Sequence, residues 1–502
     1  MNKCIKMMNI AEKSAIIFRA WCADVVLLRT KSTDPNTMLT VFRPYSIITK
    51  KESMIFMRGC VLLKTTIKQM DYEEVMALPR PAHRRPTKPS FFWQTIVRAI
   101  CNLGMGGCKL EYTVEGLDAV RKEPCLILMN HTCFADMCIA YKILYPRRFN
   151  IVCSNDGFIG FWGLMGWAMR KIGCFSTQKF VTDLHLVQDM EYCFTKLGSS
   201  VLMYPEAGYS FDGTATTLPR KMGVLLKKFG VPVIMIETKE LFLRNPLYNE
   251  LQLRKGANAK ARAYVLYNKD DVRSKTVQEL SDGIDAAFGF DHFRWQKEQG
   301  LEISDDFRAD GLHRILYKCT ACGTEGKMEG RGTILTCHHC GKQHELTTLG
   351  ELKALDGDTK TSHIPDYYRW EREQVRQEIL DGTYETDTDV TIAMQVDFKA
   401  IYMVGEGHLT HNRDGFRLTG CDGKLNYIQK PQSCFSLYAD YYWYEIADCI
   451  CIGDNEVHYF LFPKKEGVSV AKMRLATEEM YKLYKSKLLK SGPTATERQN
   501  EM

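Results

Sequence analysis

The sequence predicts an α/β domain with a mixed sheet covered by helices, then a small four-cysteine ribbon and a β-rich C-terminal domain. Three observations carry this. From 109 to about 290, short runs that are apolar throughout alternate with helix-like stretches, as in a largely parallel sheet buried on both faces. Two Cys-x-x-Cys pairs stand between 319 and 340. Beyond 363, strand-like runs lie between two helix-like segments.

The bulk numbers fit a multidomain globular chain: 502 residues, 45% hydrophobic and 25% charged. A net charge of +7 suits an anionic membrane surface or anionic substrates and is too diffuse to argue for nucleic acid. No uninterrupted apolar run reaches about 18 residues, so no transmembrane helix is predicted. Arg19 and Asp24 interrupt the N-terminal stretch "SAIIFRAWCADVVLL", which makes a poor signal-peptide core. Most of the nineteen cysteines stand singly in apolar segments, as reduced core residues of a cytosolic protein do.

In chain order, residues 1–69 show no sustained period, and Met70 is a plausible alternative start. Residues 1–89 read as a poorly ordered extension ending in a basic linker, "LPRPAHRRPTKPS", with four prolines and four Lys/Arg. Ser90 can cap a helix whose residues Phe92, Trp93, Ile96, Val97, Ile100 and Leu103 recur at helical spacing. That helix either packs on the domain or lies in a membrane interface. Residues 90–300 form the α/β domain. Its strands are "CKLEYTVEG", "CLILMN", "RFNIVCS", "SVLMYPE", "VPVIMIE" and "ARAYVLYN", with helices around 135–145, 183–197 and 219–229. "FIGFWGLMGWAMRKIG" (158–173), with glycines at every third position, reads as a core helix or as a face dipped into lipid.

"LMNHTCFAD" (128–136) ends an apolar strand with Asn130 and His131 and brings Asp136 one tight loop later. A hydroxyl attacking a thioester needs a base, and imidazole has a suitable pKa near neutrality. The imidazole in turn needs a carboxylate on its other nitrogen. In "SVLMYPEAGYSFDG" (200–213), Glu206 follows a second apolar strand, beside the small Ala207 and Gly208. With "TLPRKMG" (217–223) and "GVPVIMI" (230–236), these stretches resemble, in order and spacing, the motif blocks of the glycerolipid acyltransferases, the lysophosphatidic acid acyltransferase family. Asn130, His131 and Asp136 match the first block in full; Pro205, Glu206 and Ser210 match the third; Val231, Pro232 and Val233 match the fourth.

The resemblance covers about 90–290. It implies transfer of a fatty acyl group from acyl-CoA or acyl carrier protein to the hydroxyl of a lysophospholipid or glycerol-phosphate. His131 and Asp136 would be catalytic, and Asn130, Glu206 and Gly208 would lie at the substrate. Two departures bear on the acceptor. Tyr209 stands where the third block usually has an arginine, and the second block, "IGCFSTQKF", offers only Lys179. Arginine clamps phosphate in a bidentate way that lysine or tyrosine cannot reproduce, so Lys179, Arg220 and Lys221 replace it only in part. A non-phosphate lipid acceptor, such as a glycolipid or aminolipid, is the alternative, and a catalytically lapsed scaffold is a third reading. Ser210 lacks the nucleophile-elbow sequence, and the mechanism does not need it.

Cys319, Cys322, Cys337 and Cys340 form CxxC–x14–CxxC, each pair followed by glycine, the ligand spacing of a closed structural zinc ribbon over 312–350. It reads as a spacer or protein contact. Residues 363–490 form the β-rich domain, with helices at both ends and the aromatic cluster Tyr438–Tyr444 assigned to packing. The expected location is the cytoplasm, peripherally on the inner face of a membrane.

Overall fold

The structure, a computed structural model, describes residues 65–489 except 105–107, 134, 161–163, 182, 250–251 and 445. The expectations for 1–64 lie outside these residues.

Seven strands form the first sheet: β1 (Leu110–Glu115), β2 (Leu126–Met129), β3 (Phe149–Ser154), β4 (Cys174–Thr177), β5 (Ser200–Met203), β6 (Val233–Lys239) and β7 (Ala259–Tyr267). Their order is β1-β7-β6-β2-β5-β3-β4. All neighbours are parallel except the β6–β7 pair, so the sheet is mixed as predicted. The apolar runs explain its burial. Ile127, Met129, Leu202, Ile234 and Ile236 pack on one face, while Leu126, Leu128, Val201, Met203, Val233 and Met235 pack on the other. A strand buried on both faces has no polar side to keep wet, which is why these segments show no alternation. The helices α1 (Phe91–Gly104), α2 (Asp136–Ile143), α3 (Met165–Lys171), α4 (Leu184–Tyr192), α5 (Met222–Phe229) and α6 (Val277–Ala287) belong to this domain. Among the described residues of 158–173 the α-helix is α3, and Gly160 has φ 130°.

The basic linker is an extended strap. Asn150 Nδ2 donates to Thr87 O (2.9 Å), Ser90 N donates to Lys171 O (3.4 Å), and Pro86 and Pro89 are buried. A Cβ on Gly173 would stand 2.5 Å from Pro89 Cγ, so the strap lies directly on the domain. The expectation of poor order does not hold for 65–89. Ile67–Gln69 adds a short parallel strand to a C-terminal strand, a pairing between distant segments that local sequence cannot announce.

Four short strands form the ribbon: β8 (Met328–Arg331), β9 (Ile334–Cys337), β10 (Gln343–Leu346) and β11 (Leu352–Ala354). Helix α7 (Ile364–Asp381) leads into β12 (Glu385–Gln395), β13 (Ile401–Asn412), β14 (Gly415–Gly420), β15 (Leu425–Gln429), β16 (Tyr438–Trp443), β17 (Ala447–Gly453) and β18 (His458–Pro463), and α8 (Val470–Lys485) follows. These strands form one antiparallel sheet, ordered β15-β14-β13-β12-β18-β17-β16. Ribbon residues Cys319, Leu335, Cys337 and Leu346 share a core with Ile392, Leu461 and Met473 of the C-terminal domain. Lys318 and Lys472 bind Glu325 and Glu378 at 2.7–3.1 Å, tying the ribbon to α7 and α8. The ribbon is therefore built into the C-terminal body.

Candidate active site

Strand β2 ends at Met129, and the next residue fastens it to β6. Asn130 Oδ1 accepts from Thr238 N (2.7 Å) and Oγ1 (3.1 Å), while Nδ2 donates to Thr238 O (3.0 Å). Asn130, expected at the substrate, is wholly buried and bonded on both ends of its amide to Thr238.

Asp136 opens α2 and is also wholly buried. Its carboxylate receives Thr132 N (2.6 Å), Cys133 N (3.0 Å), Thr132 Oγ1 (2.9 Å) and His131 Nδ1 (3.1 Å). A carboxylate can only accept, so the imidazole donates from Nδ1 and keeps its lone pair on Nε2. The ring lies between Tyr204 (4.0 Å between centroids) and Tyr209 (4.4 Å), with about a fifth of the side chain (21%) exposed. Burial holds the imidazole pKa below its ordinary value; Asp136 opposes this, and the charge of Lys179 adds to it. The shift favours the neutral ring, which Asp136 orients and whose Nε2 makes no hydrogen bond among the described residues, as suits a general base.

Glu206, expected at the substrate, turns its carboxylate to backbone amides. It is wholly buried and accepts from His131 N (2.7 Å) and Thr216 N (2.9 Å). Burial pushes its pKa up to about 8, against the pull of those two amides. Ala207, at φ 53°, turns the chain so that Ser210 N reaches His131 O (3.0 Å). The third block therefore holds the backbone of His131 from both sides. Ser210 Oγ is spent inside the loop, donating to Thr214 O (2.6 Å). A Cβ on Gly208 would meet nothing within 4 Å, so open space adjoins that position.

Lys179 follows β4, and its ammonium lies 4.0 Å from the centre of the Tyr438 ring. Arg220 and Lys221 are exposed at the start of α5, where Arg220 lies 5.6 Å from the Tyr481 ring. Among the described residues, no hydrogen bond or ion pair joins those two to the His131 site, so their expected substrate role finds no support in the geometry. Sequence reading missed Thr132, Tyr204 and Thr238, and saw Tyr209 only as a departure. It also missed the C-terminal residues on this edge, Tyr438, Asp440, Tyr444 and Arg474, which lie 265 and 288 positions from their partners in the contacts Arg474–Tyr209 and Tyr444–Asp156.

Residues 111–237, which hold the whole His131 constellation except Thr238, match the family model Acyltransferase. Residues 111–237 are an acyltransferase domain. A solved structure, the 1-acyl-sn-glycerophosphate (LPA) acyltransferase PlsC from Thermotoga maritima, is similar over 39% of this chain and 76% of its own, at 14% identity and a TM-score of 0.30. No curated protein matches the chain.

Outside the acyltransferase domain, Cys319, Cys322, Cys337 and Cys340 bring their sulfurs within 4.8 Å of one another. Cys319–Cys340 and Cys322–Cys337 are each 3.8 Å apart. The two knuckles repeat one geometry: Gly323 N donates to Cys319 O (2.8 Å) and Gly341 N to Cys337 O (2.9 Å), with φ 74° and 76°. Four sulfurs around an ion at about 2.3 Å stand about 3.8 Å apart in a tetrahedron, so the cluster fits a metal. His338 pairs with Glu329 (2.8 Å), away from the ligand set.

Proposed function

We propose that the acyltransferase domain moves a fatty acyl group from acyl-CoA or acyl carrier protein to the hydroxyl of a lysophospholipid or glycerol-phosphate acceptor. His131 Nε2 takes the proton as the hydroxyl oxygen attacks the thioester carbonyl carbon. Asp136 stabilises the imidazolium that results. When the carbon–sulfur bond breaks, the imidazolium returns the proton to the thiolate, leaving ester and thiol. The observation that carries this reading is the His131 Nδ1–Asp136 contact of 3.1 Å inside a region that matches the acyltransferase family. Incubation of the purified chain with labelled acyl-CoA or acyl carrier protein and a panel of lipid acceptors tests it. Label should enter an ester; no transfer from either donor would leave the scaffold reading. A non-phosphate acceptor is the second reading, favoured by Tyr209 in place of an arginine.

The four cysteines would hold a structural zinc ion, which fixes the two knuckles and takes no part in transfer. A membrane surface is the third element of the proposal. Among the described residues, no helix is long and apolar enough to cross a membrane. Phe91, Phe92 and Ile100 on α1 are nevertheless exposed, as are Leu164 and Trp167 at α3, and Trp93 joins the two helices by packing on Trp167 (5.5 Å). Lys171 lies 5.8 Å from the Trp167 ring and Arg148 5.7 Å from that of Phe91, a basic fringe suited to the anionic inner face of a membrane. Binding to anionic liposomes should weaken but persist in high salt, and Phe92→Ala with Trp167→Ala should remove the salt-resistant part. Absence of binding at low salt would end the membrane reading.

A further inference from the structure

The parallel strands β2, β5, β3 and β4 run in one direction, so their C-terminal ends share one edge of the sheet. His131, Glu206, Asp156 and Lys179 follow those four ends. The C-terminal domain is fastened to the same edge. Tyr444 OH donates to Asp156 Oδ2 (3.1 Å), Tyr438 lies under Lys179 (4.0 Å), and Gln178 Nε2 donates to Asn455 O (2.8 Å). Tyr441 packs on Phe211 (4.8 Å between centroids), two residues beyond Tyr209.

The segment making most of these contacts is irregular. The β16–β17 ladder shifts register between Asp440 and Trp443, and Tyr442 and Tyr444 have φ of 50° and 47°. Aromatic residues hold that conformation only where their surroundings impose it, and bulges of this kind re-aim side chains. Here Asp440 is buried, with Oδ2 accepting from Tyr438 OH (2.7 Å) and Oδ1 from Tyr441 N (2.8 Å). Burial and then the charge of Asp440, with a lesser part from Asp156, hold the Tyr209 phenol well above its usual range, and Tyr209 lies against His131. Besides Asp136, which is hydrogen-bonded to the base, the charges on this edge are the carboxylates of Asp440 and Asp156 and the ammonium of Lys179, which forms no ion pair within 4.0 Å among the described residues. Arg474 reaches the loop too (Nη1 to Tyr209 O, 3.5 Å), but its guanidinium is buried beside Glu478 (3.5 Å).

We infer that the segment Tyr438–Tyr444 closes the acceptor side of the His131 site. Asp440 and Asp156, set against Lys179, would then select a hydroxyl acceptor with a neutral or zwitterionic headgroup over one ending in a phosphate monoester. The inference rests on the acyltransferase reading and narrows its acceptor. A phosphate monoester brings close to two negative charges to an edge where the carboxylates of Asp136, Asp440 and Asp156 already outnumber the ammonium of Lys179, and no arginine of the motif loop offsets them.

The test compares three detergent-dispersed acceptors of one chain length: lysophosphatidic acid, lysophosphatidylethanolamine and monoacylglycerol. The readout is kcat/KM for the full chain and for Asp440→Asn, Asp156→Asn and Lys179→Gln. The wild type should prefer the neutral or zwitterionic acceptor. Removing either carboxylate should raise the monoester's relative kcat/KM roughly tenfold, and removing the ammonium should lower it. A wild-type preference for lysophosphatidic acid overturns the inference, as does an unchanged ratio in the carboxylate variants. Asp156→Asn keeps the test open should Asp440→Asn fail to fold, because Asp156 is only half-buried. No transfer by the wild type to any of the three would bring down the acyltransferase reading itself, a different result from transfer with the wrong preference.

Discussion

The His131–Asp136 pair and the four-cysteine cluster are both announced by short spacings, but they are built in opposite ways. Asp136 is wholly buried and already receives two backbone amides, a hydroxyl and the imidazole, so the chain itself completes the site. Among the described residues, the four sulfurs meet only knuckle amides, Thr324 and one another, weak partners for a thiol. Thiols are weak donors, Cys322 and Cys340 are exposed, and only an ion at the centre joins the knuckles strongly. One cluster is preorganised by hydrogen bonds to a charge; the other, on the proposed reading, would draw its order from a bound metal. Substitutions should therefore separate chemistry from folding at the first and fuse ion with folding at the second.

The largest effect expected is on catalysis. His131→Ala should lower kcat by at least about 10²–10⁴ while circular dichroism and the melting temperature change little. The backbone bonds of His131 to Glu206 and Ser210 do not need its side chain. Asp136→Ala should cost both activity and stability, because its buried donors lose their acceptor at about 1–3 kcal/mol each. Glu206→Gln should fall between them, since an amide cannot accept from both His131 N and Thr216 N on its two ends. Normal turnover by His131→Ala would break the comparison at its first term.

At the ribbon, elemental analysis should find about one zinc ion per chain. Cys337→Ser, at a buried position in the shared core, should lose the ion and lower the melting temperature by several degrees. Cys322→Ser, at the exposed knuckle, should lose the ion with a smaller shift. Equal stability with and without the metal would show that the knuckles, like Asp136, are preorganised by the chain alone.

The same contrast explains what the sequence made legible. His131 and Asp136 lie five positions apart, and the cysteines of each knuckle three apart, so local spacing carries their geometry. The apolar strands were readable because burial on both faces leaves one composition. β14 and β15 were not, since their polar outward residues dilute the signal in short runs. The motif marks Glu206 as a site residue, but its partners are backbone amides, which no side-chain pattern encodes. Sequence pattern assigns the segment Tyr438–Tyr444 to packing because its partners Asp156 and Lys179 lie far away in the chain.

The smallest effect sharpens the first term of the comparison through pH. The base works only when neutral, so the rate falls as pH drops through the imidazole pKa. Burial, aided by Lys179 and opposed by Asp136, holds that pKa down, which places the acid limb below the ordinary imidazole value of about 6.5. Lys179→Gln removes a repelling positive charge and makes protonation easier, so its limb should move to higher pH by a fraction of a unit. Asp440, pushed up to about 6 by burial, titrates in the same range and loses its negative charge as pH falls. That loss should ease entry of an anionic acceptor just where the base is failing, making the limb shallower for lysophosphatidic acid than for monoacylglycerol. In Asp440→Asn the difference between the two limbs should shrink to what the acceptor phosphate's own second ionisation, at about pH 6, produces. If the limbs differed as much in that variant as in the wild type, Asp440 would not be the charge that the acceptor meets.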